Sequence, residues 1–255
     1  MARIKRFQRR IVQPSSTAAA TITVVLLLSI ILAVLSQRHA PLPVFEHANV
    51  EEKKQAFFNY LSPAIEVVRA EIKSQRTRLL TIHDTLKDGK LGWWQSLQLN
   101  QLAQAYELNH EDFDTRRDLV DTLLRRVDTV PGSLALVQAA KESGWGSSRF
   151  AREGNNLFGQ HCYVEGCGQM PLDRAQGRRH EAAEFDTVEA AVRAYMHNLN
   201  THARYREFRT LRASLRREGK PLAGTLLANG LVAYSERGSP YVSEIKALIK
   251  NNNLE

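Results

Sequence analysis

Two cysteines in 255 residues exclude a disulfide-dense scaffold. The chain has no CxxC and no HExxH, and its eight histidines show no metal-ligand spacing with carboxylates, so a zinc amidase is not indicated. Walker-type phosphate loops, the Rossmann glycine pattern and the serine nucleophile elbow are also missing, which leaves no organic cofactor to assign and no metal to expect. There is no internal repeat and no low-complexity run. Aromatic content of 7% and hydrophobic content of 43% are those of an ordinary folded chain.

The first 37 residues contain no acidic residue. They carry Arg3, Lys5, Arg6, Arg9 and Arg10, five of the eight excess positive charges, so the body beyond them is only mildly basic, at +3. Charge of that size fits an anionic cell-wall glycan as readily as DNA. The Arg-rich stretch YREFRTLRASLRR is simplest as the solvated face of a helix, and no nucleic-acid partner is assigned. The run from Ala18 to Leu35 holds only apolar residues, Thr and Ser. With its flanks it is about 20 residues, enough to span a hydrocarbon layer as a helix. Basic residues before it keep that end in the cytoplasm. An uncleaved anchor, or a cleavable signal segment, places the rest of the chain outside; an anchor is favoured because no clear Ala-x-Ala site follows. The expected organisation is a basic cytoplasmic segment at 1–15, an anchor or signal segment at 16–36, a linker at 37–50, a helical region at 51–126 and a further folded domain at 127–255. The expected location is the inner membrane, single-pass, with the body in the periplasm.

Beyond the linker, helical periodicity dominates. Phe57, Tyr60, Leu61, Ile65, Val68 and Ile72 make one apolar stripe, which Pro63 kinks or restarts. Further helices are expected around Trp93 to Tyr106 and Phe113 to Val127, the latter capped by Asp114 or Thr115. Trp93 and Trp94 read as packing residues. The apolar run Leu134 to Ala140 starts at Pro131 to Ser133 and closes at Gly144 and Gly146. From Gly159 to Phe185 the composition is poor for helix and suits a small β-hairpin. Helices resume at 187–199, 205–218, 222–233 and 241–249. The fold class is mainly α with a minor β lobe.

Glu142 lies in the last turn of the apolar helix, before Gly144, Trp145 and Gly146. The negative end of the helix and desolvation beside Trp145 both favour its protonated form, which a glycosidase needs in order to protonate a leaving sugar oxygen. A solvated helix-end carboxylate is the plainer reading of the same residue. Cys162 and Cys167, in HCYVEGC, form a disulfide more readily than a metal site with His161, for want of a further ligand.

The strings AAKESGWGS at 139–147, NNLFG at 155–159, EFDTVEAAVRAY at 184–195, a segment containing Tyr205, and AYSERGSPY at 233–241 resemble the glucosaminidase family of lysozyme-like glycoside hydrolases (the family 73 type), and are similar to its Bax-type members from gram-negative bacteria. The resemblance implies hydrolysis of β-1,4 bonds of N-acetylglucosamine in peptidoglycan glycan strands. It implies Glu142 as the acid, a cleft shaped by Asn155, Asn156, Phe158 and Gly159, and Tyr234 facing that cleft. Trp145 serves equally as a sugar platform or a core residue, and Tyr241 is a further substrate-binding candidate. For a second carboxylate Glu165 comes first, then Glu181 and Glu184; some members of the family use the substrate's N-acetyl group instead. The rivals are a lytic transglycosylase, whose downstream Gly-Leu-Met-Gln type segment is missing here, and a catalytically silent or regulated wall-binding module.

Overall fold

The computed structural model describes residues 25, 42–45, 49–170 and 181–255. The anchor at 16–36 lies outside them, apart from Val25; among the described residues no helix is long and apolar enough to cross a membrane. The described residues from Leu42 onward fall in one compact unit.

The body is mainly helical. Its longest element, α1 (Val50–Asp88), is opened by Asn49, whose side chain accepts a hydrogen bond from the Glu52 N–H at 2.8 Å. Pro63 does not restart it: the helix runs through, because the flanking turns are locked by packing. Phe57, Leu61, Ile65, Val68 and Ile72 are buried as the stripe requires, whereas Tyr60 is partly exposed at its edge, against Phe45. The described part of the expected linker is also held in the core, with Leu42 and Phe45 buried. Both rest on Gly146, where an added Cβ would come within 2.9 Å of each.

Two cores share α1. Its second half contributes Leu79 and Ile82 to a distal core with α2 (Trp93–Ala105) and α3 (Arg116–Arg126), the latter capped by Thr115. Trp93 and Trp94 are not packing residues: they are 76% and 56% exposed and meet edge to face on the surface. They open α2 ahead of Leu99, Leu102 and Ala103, the residues that turn inward.

The main core surrounds α4 (Gly132–Ser143), buried on nearly every side. After it come α5 (Arg149–Gly154), which the sequence reading omits, and the strands β1 (His161–Cys162), β2 (Gly168–Gln169) and β3 (Glu181–Ala183). The β lobe is a three-stranded sheet of order β1-β3-β2 and not a hairpin. The Cys162–Cys167 disulfide closes a tight turn between β1 and β2, and β3 lies between them, antiparallel to both. Gly168 permits that approach, since a Cβ there would overlap the Ala182 carbonyl. The buried Glu181 carboxylate accepts from the N–H groups of Gly166 and Gly168, at 3.2 and 2.9 Å.

The last elements are α6 (Val188–Thr201), α7 (Arg206–Arg217), α8 (Gly224–Leu227) and α9 (Ser239–Asn251), with 3-10 turns at Ala203–Tyr205 and Ala228–Tyr234. The helix expected at 222–233 is broken into α8 and a 3-10 turn. There Gly230 passes so close to the backbone of Phe208 that any side chain would collide with it.

Candidate active site

The end of α4 is shaped by three successive residues of positive φ: Gly144 at 58°, Trp145 at 59° and Gly146 at 76°. Such a conformation suits glycine, and for an indole-bearing residue it is strained. Trp145 is kept there by its ring, which packs against Phe57 and Phe58 of α1 at centroid distances of 6.0 and 5.3 Å, with the Lys54 ammonium 5.8 Å away. The indole therefore belongs to the seam between α1 and α4 and is not among the residues lining the cleft described next. The first half of α1 fastens the turn that ends the Glu142 helix.

On the other side of that turn Glu142 is half-buried and faces a cleft of about 360 Å³. Phe158, Gly159 and Gln160 form one wall, Tyr195, Asn198 and His202 another, with Tyr205 and Tyr234 beside them. The Phe158 ring stacks on Tyr195 at 4.0 Å. Tyr234 donates from its hydroxyl to the Phe158 carbonyl at 3.2 Å and stacks on Tyr241 at 5.4 Å. Tyr241 is buried and absent from the lining; its hydroxyl donates to Glu142 Oε1 at 2.9 Å. It thus meets Glu142 rather than open space. Burial raises the Glu142 carboxyl above its ordinary value, while the Tyr241 hydrogen bond and the Lys141 charge pull the other way. Tyrosines line the cleft beside that carboxyl, whereas the Trp145 ring turns to the seam with α1. Burial also lifts the hydroxyls of Tyr195 and Tyr234 well above the usual phenol range, with the Glu142 charge adding to the effect, so both are neutral donors at neutral pH.

The paired asparagines work as fasteners. Asn155 takes the left-handed conformation that ends α5 and donates to the Phe185 carbonyl at 2.9 Å. Asn156 donates to the carbonyls of Gln160 and Ala183 and accepts from the Gln160 N–H. Together they tie the wall containing Phe158 and Gly159 to β3. Both are buried, so the structure does not present them to the cleft.

Of the acidic candidates, Glu165 is exposed at the tip of the disulfide turn and Glu181 is buried inside it, while Glu184 is exposed beside Gly154. None lines the cleft. Glu142 is the only carboxylate among the described lining residues. Sulfurs of Cys162 and Cys167 with the Glu181 carboxylate come close enough to suggest metal ligands, but the disulfide removes both thiolates.

Sequence reasoning gave no role to Asn198, His202 or Gln138. Tyr195 and Asn198 on α6 and His202 just past its end recur at three and four residues, and that spacing was a usable signal. His202 Nδ1 accepts from the Arg204 N–H at 3.1 Å, which leaves Nε2 to carry the ring proton.

The glucosaminidase family, described as mannosyl-glycoprotein endo-beta-N-acetylglucosaminidase, matches residues 118–254, which contain the whole cleft. The chain belongs to the glucosaminidase family. It is also similar to the protein bax of Escherichia coli strain K12, at 34% identity over 200 residues, 78% of this chain and 70% of that one. No solved structure matches. Membership places the chain among glycosidase-type proteins, and the helical body with a small sheet beside the cleft is the form expected of a lysozyme-like member.

Proposed function

We propose that this glucosaminidase-family protein hydrolyses the β-1,4 bond of N-acetylglucosamine in peptidoglycan glycan strands, with Glu142 as general acid. One observation carries the reading: Glu142, the one carboxylic acid among the described lining residues, its pKa raised by burial, opens on a cleft walled by neutral tyrosines. A protonated Glu142 gives its proton to the leaving sugar oxygen as the bond from C1 breaks. Inversion would use a second carboxylate about 6.5–9.5 Å from the first, and direct retention one at about 5–5.5 Å. With none among the described lining residues, the carbonyl oxygen of the substrate's N-acetyl group attacks C1. Water then opens the resulting ring as the Glu142 carboxylate takes up its proton. Tyr234, whose hydroxyl is held by the Phe158 carbonyl, offers a ring edge for the sugar.

The apolar run from Ala18 to Leu35 and the basic residues before it support a periplasmic placement of this body, anchored in the inner membrane. The test is digestion of purified peptidoglycan by the protein and by Glu142→Gln, with reducing-end analysis and mass spectrometry of the fragments. Reducing N-acetylglucosamine ends made by the parent alone support the reading. Anhydro-muramic ends would replace it with a lytic transglycosylase, and wall binding without products, unchanged in the variant, with a silent binding module.

A further inference from the structure

Gln138 sits one turn before Glu142 on α4 and is wholly buried, the one polar residue between Leu134 and Ala140. A buried amide has to be paired, and its two ends meet two tyrosines. The Tyr195 hydroxyl lies 2.6 Å from Gln138 Oε1, and Gln138 Nε2 lies 2.9 Å from the Tyr241 hydroxyl. An amide oxygen only accepts and an NH2 only donates. Tyr195 therefore gives its proton to Gln138, and the oxygen of Tyr241 receives one from it. The proton of Tyr241 is left for Glu142 Oε1, 2.9 Å away.

This polarity distinguishes the two oxygens of Glu142. Oε1 is occupied as an acceptor, while Oε2 lies on the side of Gly159, whose added Cβ would stand 3.8 Å from it, and Gly159 lines the cleft. Were the amide reversed, Tyr241 would turn its proton to Gln138, and the acidic proton of Glu142 would be drawn to Oε1, away from the cleft.

We propose that Gln138 is a positioning residue which, by fixing Tyr241 as a donor to Oε1, confines the transferable proton of Glu142 to Oε2 on the cleft side. The proposal rests on Glu142 being the acid of the reaction described above.

The charged and titratable groups around Glu142 are few enough for a clean test. On its own helix is Lys141, paired with Glu244, and on α9 is Tyr241. From α6 and the two 3-10 turns come Tyr195, Tyr205 and Tyr234; across the cleft lie His161, Tyr163, His202 and Arg204. A Tyr241 hydroxyl polarised by the amide is a better donor to a carboxylate, so its loss weakens the ionised form and raises the Glu142 pKa. A general acid works below its pKa, so the alkaline limb of kcat then moves to higher pH.

The experiment compares the full chain in detergent with Gln138→Met, Tyr241→Phe and the double variant. Infrared difference spectra against Glu142→Gln report the protonation of Glu142 directly, beside the pH profiles of kcat and KM. Gln138→Met is expected to move the titration and the alkaline limb upward with KM nearly unchanged, and Tyr241→Phe to do the same. The double variant should move no further than Tyr241→Phe alone. A Gln138→Met shift that adds to that of Tyr241→Phe would overturn the proposal, as would a titration that stays put while only the melting temperature falls. If Gln138→Met does not fold, Tyr195→Phe, which removes the donor at the other end of the amide, should shift the titration upward by less; no shift overturns the proposal. If the parent cleaves no glycan, the infrared titration still reads the relay: an upward shift upholds it and the failure falls on the glycosidase reading, while an unmoved titration overturns both.

Discussion

Asp128 and Glu142 stand near opposite ends of α4, and burial pushes the carboxyl groups of both upward, yet they end on opposite sides of the ordinary carboxylate range. Around Asp128 burial is outweighed. Arg216 donates to both its oxygens at 3.0 and 2.8 Å, and Arg212 and Arg76 add their charges. The fully buried Arg212 also donates to the carbonyls of Arg125, Asp128 and Thr129, so the charged group carries its own set of partners. Around Glu142 the neighbours are phenols, and among the described residues the cation acting on it, Lys141, is shared with Glu244. Burial alone does not make a catalytic acid. Cations turn a buried carboxylate into a structural anion that joins α1 and α7 to the connection between α3 and α4, whereas neutral donors leave it able to hold a proton.

The largest expected effect is on activity. Glu142→Gln should reduce glycan cleavage by at least about 10²–10⁴-fold, the usual reach of a general acid, without loss of fold. Its folded-state pKa is raised, so ionisation of Glu142 favours the unfolded chain as pH rises. The variant should therefore melt no lower than the parent at pH 8, and the advantage should shrink by pH 5. A clearly lower melting temperature at pH 8 would break the comparison. Asp128→Ala should act in the other sense, costing about 3–5 kcal/mol because it strands buried guanidinium charge, a melting loss of roughly 10 °C. The Asp128 pKa is depressed, so its contribution is present at neutral pH and is lost as pH falls through the folded value. Acid titration of stability should accordingly be flatter in the variant.

Smaller effects sharpen the same contrast. Replacing both Cys162 and Cys167 with Ser should cost about 2 kcal/mol, since the closed loop is short; differential scanning calorimetry reads this directly. Glu165→Gln should change peptidoglycan turnover by less than about twofold, because an exposed charge at the loop tip is well screened. A tenfold loss would restore Glu165 as a second catalytic carboxylate.

Much of the fold was legible because helix signals are local. Asn49, Thr115 and Thr187 cap helices whose apolar stripes follow in sequence, and Gly144 ends α4 where its spacing says it should. Glu142 could be singled out for a related reason: it ends an apolar run and sits in a motif resembling the family's. The β lobe was placed correctly, but its strand order depends on β3 entering between two neighbours in the chain, a choice of contact that composition does not encode. Trp93 and Trp94 were misassigned because hydrophobicity states a preference for burial without saying whether a surface is free to receive them.

The sequence by itself determined most of the helices, the disulfide partners and the family, and it singled out Glu142 as the proposed acid, since each rests on residues adjacent in the chain or on a motif. Only the tertiary structure decided what surrounds that acid. Tyr241 reaches Glu142 from 99 residues away and Tyr195 reaches Gln138 from 57, and whether a buried carboxylate holds or loses its proton depends on which distant groups the packing brings within hydrogen-bond reach.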